Sequence, residues 1–245
     1  LSKYMQLAQN GNDAVLTIDP TGASNFLVTN TSLKTITFTN GWSAGGLNDT
    51  LLKLVANKVI NLNYQNATPL MLDLNGDGVH TTSIDQGVAF DIEGNGQVVQ
   101  TAWSDGKDGF LALDINGDGH INSGRELFGN GTLLSNGSKA RDGFEALAQY
   151  DNNQDGEIDV SDSVFANLKL WVDANHDGVS TAGELHTLNA LGVQNIQLGA
   201  KASQLVDNGN PFPLVSHWTD TAGQKHAVAD VLLTTSTQLK HDVVI

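Results

Sequence analysis

The chain contains no cysteine, so neither a disulfide framework nor a thiolate metal site is open to it. Positive charge is nearly as scarce. Twelve basic side chains stand against 27 acidic ones, for a formal charge of −15. That balance excludes the basic patches by which proteins hold nucleic acid or an anionic membrane surface. No apolar run approaches the roughly 18 residues of a membrane span, so no transmembrane segment is expected. The His-Glu-x-x-His zinc signature, the Gly-x-Ser-x-Gly elbow and the phosphate loop are all missing, and no residue is singled out as catalytic. Nothing after Leu1 reads as a signal peptide, as expected of a piece cut from a longer chain.

Glutamate is rare too, and this is more informative. Only five of the acids are Glu, against 22 Asp. A solvated acidic surface uses Glu freely, above all on helices. An Asp excess alongside 26 Gly points instead to tight loops, in which a short carboxylate must reach inward.

The length suits one sizeable domain or two smaller ones. Residues 1–62 read as β-rich: Val15 to Asp19 alternate before the turn Asp19-Pro20-Thr21-Gly22, and Phe26 to Val28 and Leu33 to Phe38 continue in that style. Leu51 to Leu62 is apolar and fits helix or strand, and 63–68 reads as a linker. From Pro69 to about residue 235 the texture changes to recurring Asp-Asn-Gly loops, leaving 236–245 as a tail. Helices are expected near 138–150, where Phe144, Leu147 and Ala148 share a face, near 161–168, and over 181–191 on the Leu185, Leu188, Leu191 stripe. Phe212 to Leu233 reads as a hairpin turning at Thr221-Ala-Gly-Gln, with His217 and His226 facing each other across it. Trp103, Trp171 and Trp218 look like core, while Asp142 and Glu145 look like capping or solvated residues. The expected class is α+β: EF-hand-like loops joined by short helices and strands, with a C-terminal hairpin and a β-rich N-terminal segment.

Calcium is a hard cation that takes six to eight oxygens at about 2.3–2.6 Å, and the EF-hand loop supplies them from positions 1, 3, 5, 7 and 12 around a glycine at 6. The loop from Asp173 fits throughout, with Asp173, Asn175, Asp177, Gly178, the Val179 carbonyl and Glu184; only Ser180, at position 8, departs from the usual apolar residue. The loop from Asp151 offers Asp151, Asn153, Asp155, the Glu157 carbonyl and Asp162, whose shorter carboxylate makes magnesium a better competitor. The loop from Asp114 offers Asp114, Asn116, Asp118 and the His120 carbonyl. Arg125 falls at its position 12, so Glu126 is taken as the closing ligand. The loop from Asp73 offers Asp73, Asn75, Asp77 and the Val79 carbonyl, with Asp85 as the nearest acid to close it. A degenerate turn carries Asp91, Glu93 and Asn95, and Asp108 is placed to complete one of these sites from nearby. A single such cluster is as readily a plain turn. Four in one chain, two of them closed by an acid at position 12, point to about three to five Ca²⁺ ions. Five would bring the charge from −15 to about −5.

The stretch from Pro69 to about Thr235 resembles the self-processing module of Frp-type RTX proteins, large type I–secreted bacterial toxins and adhesins. The resemblance rests on Pro69-Leu-Met-Leu-Asp-Leu-Asn-Gly-Asp-Gly-Val, Asp108-Gly-Phe-Leu-Ala-Leu-Asp-Ile-Asn-Gly-Asp-Gly, Gly124-Arg-Glu-Leu-Phe-Gly, Gly143-Phe-Glu-Ala-Leu-Ala and Leu170-Trp-Val-Asp-Ala-Asn-His-Asp-Gly-Val-Ser. It implies a module that calcium folds and that then cleaves an Asp-Pro bond at its own start, the Asp carboxylate attacking its own carbonyl. Here Thr68 precedes Pro69, so that nucleophile is missing and loss of cleavage is expected. Residues 1–62, through Gly11-Asn-Asp-Ala-Val-Leu-Thr-Ile-Asp-Pro-Thr-Gly, resemble the β-rich segment near the secretion end of giant RTX adhesins. The expectation is therefore an extracellular calcium-binding module, with calcium and neighbouring domains as partners and a host or cell-surface ligand left open. Self-cleavage and a ligand-binding adhesin role are the alternatives. A cytosolic sensor is disfavoured by two Met in the whole chain.

Overall fold

A computed structural model describes residues 68–235 in full and, before them, the backbone of three strands. The chain divides into two compact units, Leu1–Gln65 with Thr237–Ile245, and Asn66–Ser236. In the first unit β1 (Met5–Asn10), β2 (Asp13–Ile18) and β3 (Lys34–Phe38) form an antiparallel three-stranded sheet in the order β1-β2-β3. The segments Phe26–Val28 and Leu51–Leu62, the Asp19-Pro20 turn, residues 63–67 of the linker and the 236–245 tail lie outside the described residues.

The second unit is built on one curled antiparallel sheet. Its strands are β4 (Leu70–Leu72), β7 (Gly109–Ala112), β8 (Glu157–Ile158), β9 (Lys169–Trp171), β10 (Leu185–Thr187), β11 (Val193–Gln197), β12 (Lys201–Asp207), β13 (Asn210–Asp220) and β14 (Lys225–Asp230). They run in the order β10-β9-β7-β4-β14-β13-β11-β8, with β12 on the free half of β13. A small separate pair joins β5 (Val88–Phe90) to β6 (Val99–Thr101).

Alternation along the central strands fills two cores, one on each face. Leu70, Leu72, Leu111, Leu170 and Val228 point to one side, where the short helix α1 (Gly143–Ala148) packs Phe144 and Leu147 against them. Met71, Phe110, Ala112, Trp171 and Ala229 point to the other. There Trp103 sits among Phe90, Phe110 and Trp171, with ring centroids 4.6 to 5.3 Å away. Because both faces are covered, β4 and β7 are apolar at every position rather than alternating.

This corrects the α+β expectation: the fold is nearly all β, and α1 is the single α-helix among the described residues. The helix expected over 138–150 shrinks to Gly143–Ala148, buries Ala146 rather than Ala148, and is capped by Asp142, whose side chain accepts the Glu145 N–H. Glu145 in turn accepts from the Arg141 N–H, a capping arrangement like that expected of these two acids. Residues 161–167 are turns. The 181–191 stripe divides instead: Leu185 pairs with Trp171 in the sheet, and Leu191 ends a 3-10 turn that Gly192 stops at φ +74°. The C-terminal hairpin forms with its turn where expected, but one step out of the expected register. His226 pairs with Trp218 and stacks on it at 4.3 Å, whereas His217 pairs with Ala227.

Candidate metal centre

Five loops of the second unit share one backbone conformation. In each, the residue at position 4 and the glycine at position 6 take a left-handed φ: Gly76 and Gly78, Gly94 and Gly96, Gly117 and Gly119, Gln154 and Gly156, His176 and Gly178. Two left-handed turns in succession curl the chain around its first carboxylate. That carboxylate accepts the position-6 N–H in every case, at 2.8 to 3.0 Å from Asp73, Asp91, Asp114, Asp151 and Asp173. The side chains at positions 3 and 5 then bond across the loop: Asn75 to Asp77, Asn116 to Asp118, Asn153 to Asp155, and Asn175 to Asp177, at 2.8 to 3.0 Å. In the degenerate loop the donor is reversed, with Asn95 bonding to Glu93.

The flanking elements differ from those of an EF-hand. Four of the loops begin within two residues of a strand end, at β4, β5, β7 and β9; only the loop from Asp151 follows a helix, α1. The sheet, rather than a pair of helices, therefore fixes where each loop starts.

An acid closes the open side of four loops. Glu184 accepts the Thr181 N–H, Glu126 the Asn122 N–H, and Asp162 the N–H groups of both Asn152 and Asp159. Loop Asp73 is closed from afar. Asp108 accepts from Leu74 and His80, and Asp207, at the end of β12, accepts from Thr81 at 2.6 Å. Asp85 lies exposed on the 3-10 turn Ile84–Gln86. Asp207 is the residue that sequence reasoning missed: it is 126 residues from Thr81 and carries no loop motif of its own. Arg125, which cannot ligate a cation, leaves loop Asp114 and donates to the Gly94 carbonyl of loop Asp91.

Burial shapes the electrostatics. Asp108 is fully buried, and desolvation pushes its carboxyl up to about 7 against the opposing His80 and Leu74 N–H bonds. Burial also works to raise Asp207, but the Thr81 N–H and O–H bonds and the neighbouring His80 together hold it below its ordinary value. Asp173 is anchored in the aromatic core, where its carboxylate accepts the Trp103 indole N–H at 2.7 Å. Glu126 is the telling case. It is 5% exposed, and its second oxygen, Oε1, is buried without a hydrogen-bond partner. Such an atom is costly unless something positive meets it.

Among the described residues no three His, Asp or Glu side chains gather into a metal cluster of their own. The donor sets are mixed instead, combining carboxylates with an Asn side chain and a backbone carbonyl. That is the oxygen-only chemistry of a hard cation, and the unpartnered Glu126 oxygen fits such an ion.

A curled β-sheet whose strands open into closed Asp/Asn/Gly loops defines a multi-loop acidic module. The SPM domain model matches residues 70–234, so the loop-bearing unit is an SPM domain and the chain belongs to that family. It is also 40% identical over 173 residues to the iron-regulated protein FrpA of Neisseria meningitidis serogroup C. That alignment covers 69% of this chain and 16% of the relative, so the chain spans a small part of the relative's length. No helix among the described residues is long and apolar enough to cross a membrane.

Proposed function

We propose that the chain is a calcium-binding module of a large type I–secreted RTX adhesin or toxin, folding when it meets calcium outside the cell. The observation that carries this reading is the recurrence of one conformation in five loops, four of them closed by an acid, with the buried Glu126 Oε1 left without a partner. Asp73, Asp114, Asp151 and Asp173 with their Asn and Asp partners, the carbonyls of Val79, His120, Glu157 and Val179, and the closing acids would hold the ions. A bound cation supplies charge neutralisation and a crosslink between distant segments. With little calcium, the acidic loops repel one another and the chain stays unfolded for export. At extracellular concentrations, modules of this kind bind at about 10⁻⁴–10⁻³ M, and the binding energy adds to folding. Loop Asp91 is the weakest candidate, because the Arg125 guanidinium is bonded to its Gly94 carbonyl.

Thermal unfolding from chelator to about 10 mM calcium tests the proposal, with magnesium as control. Each site filled at 100 times its dissociation constant adds about 2.7 kcal/mol, so the melt should rise steeply with calcium. A melt indifferent to calcium would overturn the reading.

A self-cleaving role is the second reading, favoured by the enclosure of the junction. Thr68 is buried, its Oγ1 accepts the Asn130 N–H, and a Cβ on Gly129 would lie 2.5 Å from the Thr68 carbonyl oxygen. Thr68 supplies no carboxylate there, and we infer that the bond before Pro69 stays intact.

A further inference from the structure

We infer that the loops starting at Asp114 and Asp173 bind their ions as one coupled pair, and that Ser180 is the coupling residue. The inference rests on the calcium reading above and adds to it which sites communicate and through which atoms.

Ser180 stands at position 8 of its loop, where an apolar residue is usual, and Ile121 stands at position 8 of the other. In the structure these two residues meet, although 59 positions separate them. The Ile121 N–H donates to Ser180 Oγ at 2.6 Å, and Ser180 Oγ approaches the Ile121 carbonyl at 3.4 Å. The Ser180 carbonyl accepts from His120 Nδ1 at 2.9 Å. Ile121 and Ser180 are each 2% exposed, so water does not compete for the two bonds between them. A hydroxyl at this position does what an apolar side chain cannot, bonding to the partner loop's backbone.

The peptide geometry explains how binding passes between the loops. The His120 carbonyl is the backbone ligand of loop Asp114, and the Ile121 N–H belongs to the same planar peptide group. An ion drawing on that carbonyl polarises the N–H and strengthens its bond to Ser180. On the other side, the Val179 carbonyl is joined through its peptide group to Ser180, whose hydroxyl and carbonyl meet Ile121 and His120. Filling one loop therefore fixes the peptide on which the other loop's position 8 rests. By contrast, position 8 of loop Asp151 is Ile158, which pairs with Ile196 of β11 instead of with another loop. That loop serves as the uncoupled control.

The test is a calcium titration of the whole chain followed by the backbone amide resonances of Gly119, Gly178 and Gly156, one reporter for each loop. In the native chain Gly119 and Gly178 should shift together and cooperatively, with Gly156 on a separate curve. Glu126→Gln weakens loop Asp114 directly, and coupling should move the Gly178 midpoint by about fivefold or more. Ser180→Ala should remove that transmitted shift, and Ser180→Thr, which keeps the hydroxyl, should restore it. If Ser180→Ala does not fold, the response of Gly178 to Glu126→Gln in the native background still decides the matter. A Gly178 midpoint unmoved by Glu126→Gln overturns the coupling and leaves calcium binding intact. Glycine amides that ignore calcium altogether overturn the calcium reading and the coupling with it.

Discussion

The carboxylate of Asp108 accepts the backbone N–H of His80 at 2.7 Å, reaching across 28 residues of sequence to close the loop that starts at Asp73. Its other oxygen takes the Leu74 N–H. This loop has no acid at its own position 12, and the bridge shows how a strand neighbour supplies one. Asp108 opens the turn into β7, and β7 pairs with β4, the strand that leads into the loop. Sheet register therefore carries the acid to its place. Replacing Asp108 with Ala should strip two part-buried donors of their acceptor, costing about 1–3 kcal/mol, and should reduce the number of calcium ions bound. Asp85→Ala, at an exposed site, should change stability by less than about 0.5 kcal/mol. Calorimetric titration of both variants checks this; equal losses would disprove the assignment of Asp108.

Glu126 and Arg125 are adjacent and opposite in charge, and the structure sends them to different loops. Glu126 turns into loop Asp114, while Arg125 turns out to Gly94. Glu126→Gln preserves shape and removes charge, so calcium affinity at that loop should fall roughly tenfold or more. Arg125→Ala should leave that affinity unchanged and loosen loop Asp91 instead. Site-resolved titration separates the two effects, and equal losses in loop Asp114 would contradict this division of roles.

Which features the sequence revealed follows from the range of the interactions that made them. The loops were legible because their chemistry is local: the Asp, Asn and Gly that shape each turn lie within six residues of one another. The three tryptophans were legible as core, and the hairpin ending in Lys225–Asp230 announced itself by its turn. The helices near 161–168 and over 181–191 were misread. Leu185, Leu188 and Leu191 have helical spacing, yet Leu185 is drawn into the sheet by Trp171, a pairing that no local window contains. Asp207 was invisible for the same reason, since its partner Thr81 is brought to it by the fold alone. Ser180 was visible as an oddity, but its meaning depended on Ile121 in another loop.

Asp230, buried beside Gly143, should govern part of the pH dependence of stability. Burial pushes its carboxyl up to about 8, against the stabilising N–H of Gly143. An acid whose folded pKa lies above its unfolded value, here 3.8, contributes most fully below the unfolded pKa. That contribution is lost as pH rises through the folded pKa. The native chain should therefore lose stability relative to Asp230→Asn across pH 4 to 8 and no further above it. Between about pH 5 and pH 8 the relative change should be of the order of 4 kcal/mol. Urea unfolding of both proteins at fixed saturating calcium reads it, and parallel pH profiles would rule out the buried acid as its source.

The junction at Thr68 gives the sharpest division between a binding module and a self-cleaving one. Thr68 is held on both sides by Asn130, which receives its N–H and donates to its hydroxyl, and Pro69 is fixed by the Val231 N–H on its carbonyl. The peptide bond between them is thus enclosed and positioned. A hydroxyl on Thr68 attacking its own carbonyl would have to close a four-membered ring, whereas an Asp carboxylate closes a five-membered one. Adding calcium to the native chain should therefore leave a single band indefinitely on a denaturing gel. Thr68→Asp supplies the missing carboxylate inside the same enclosure, and calcium should then produce two fragments whose new N-terminus is Pro69. If the native chain is cut before Pro69, a nucleophile other than residue 68 is at work and the binding-only reading fails. If Thr68→Asp folds with calcium and stays whole, the enclosure holds the bond without activating it.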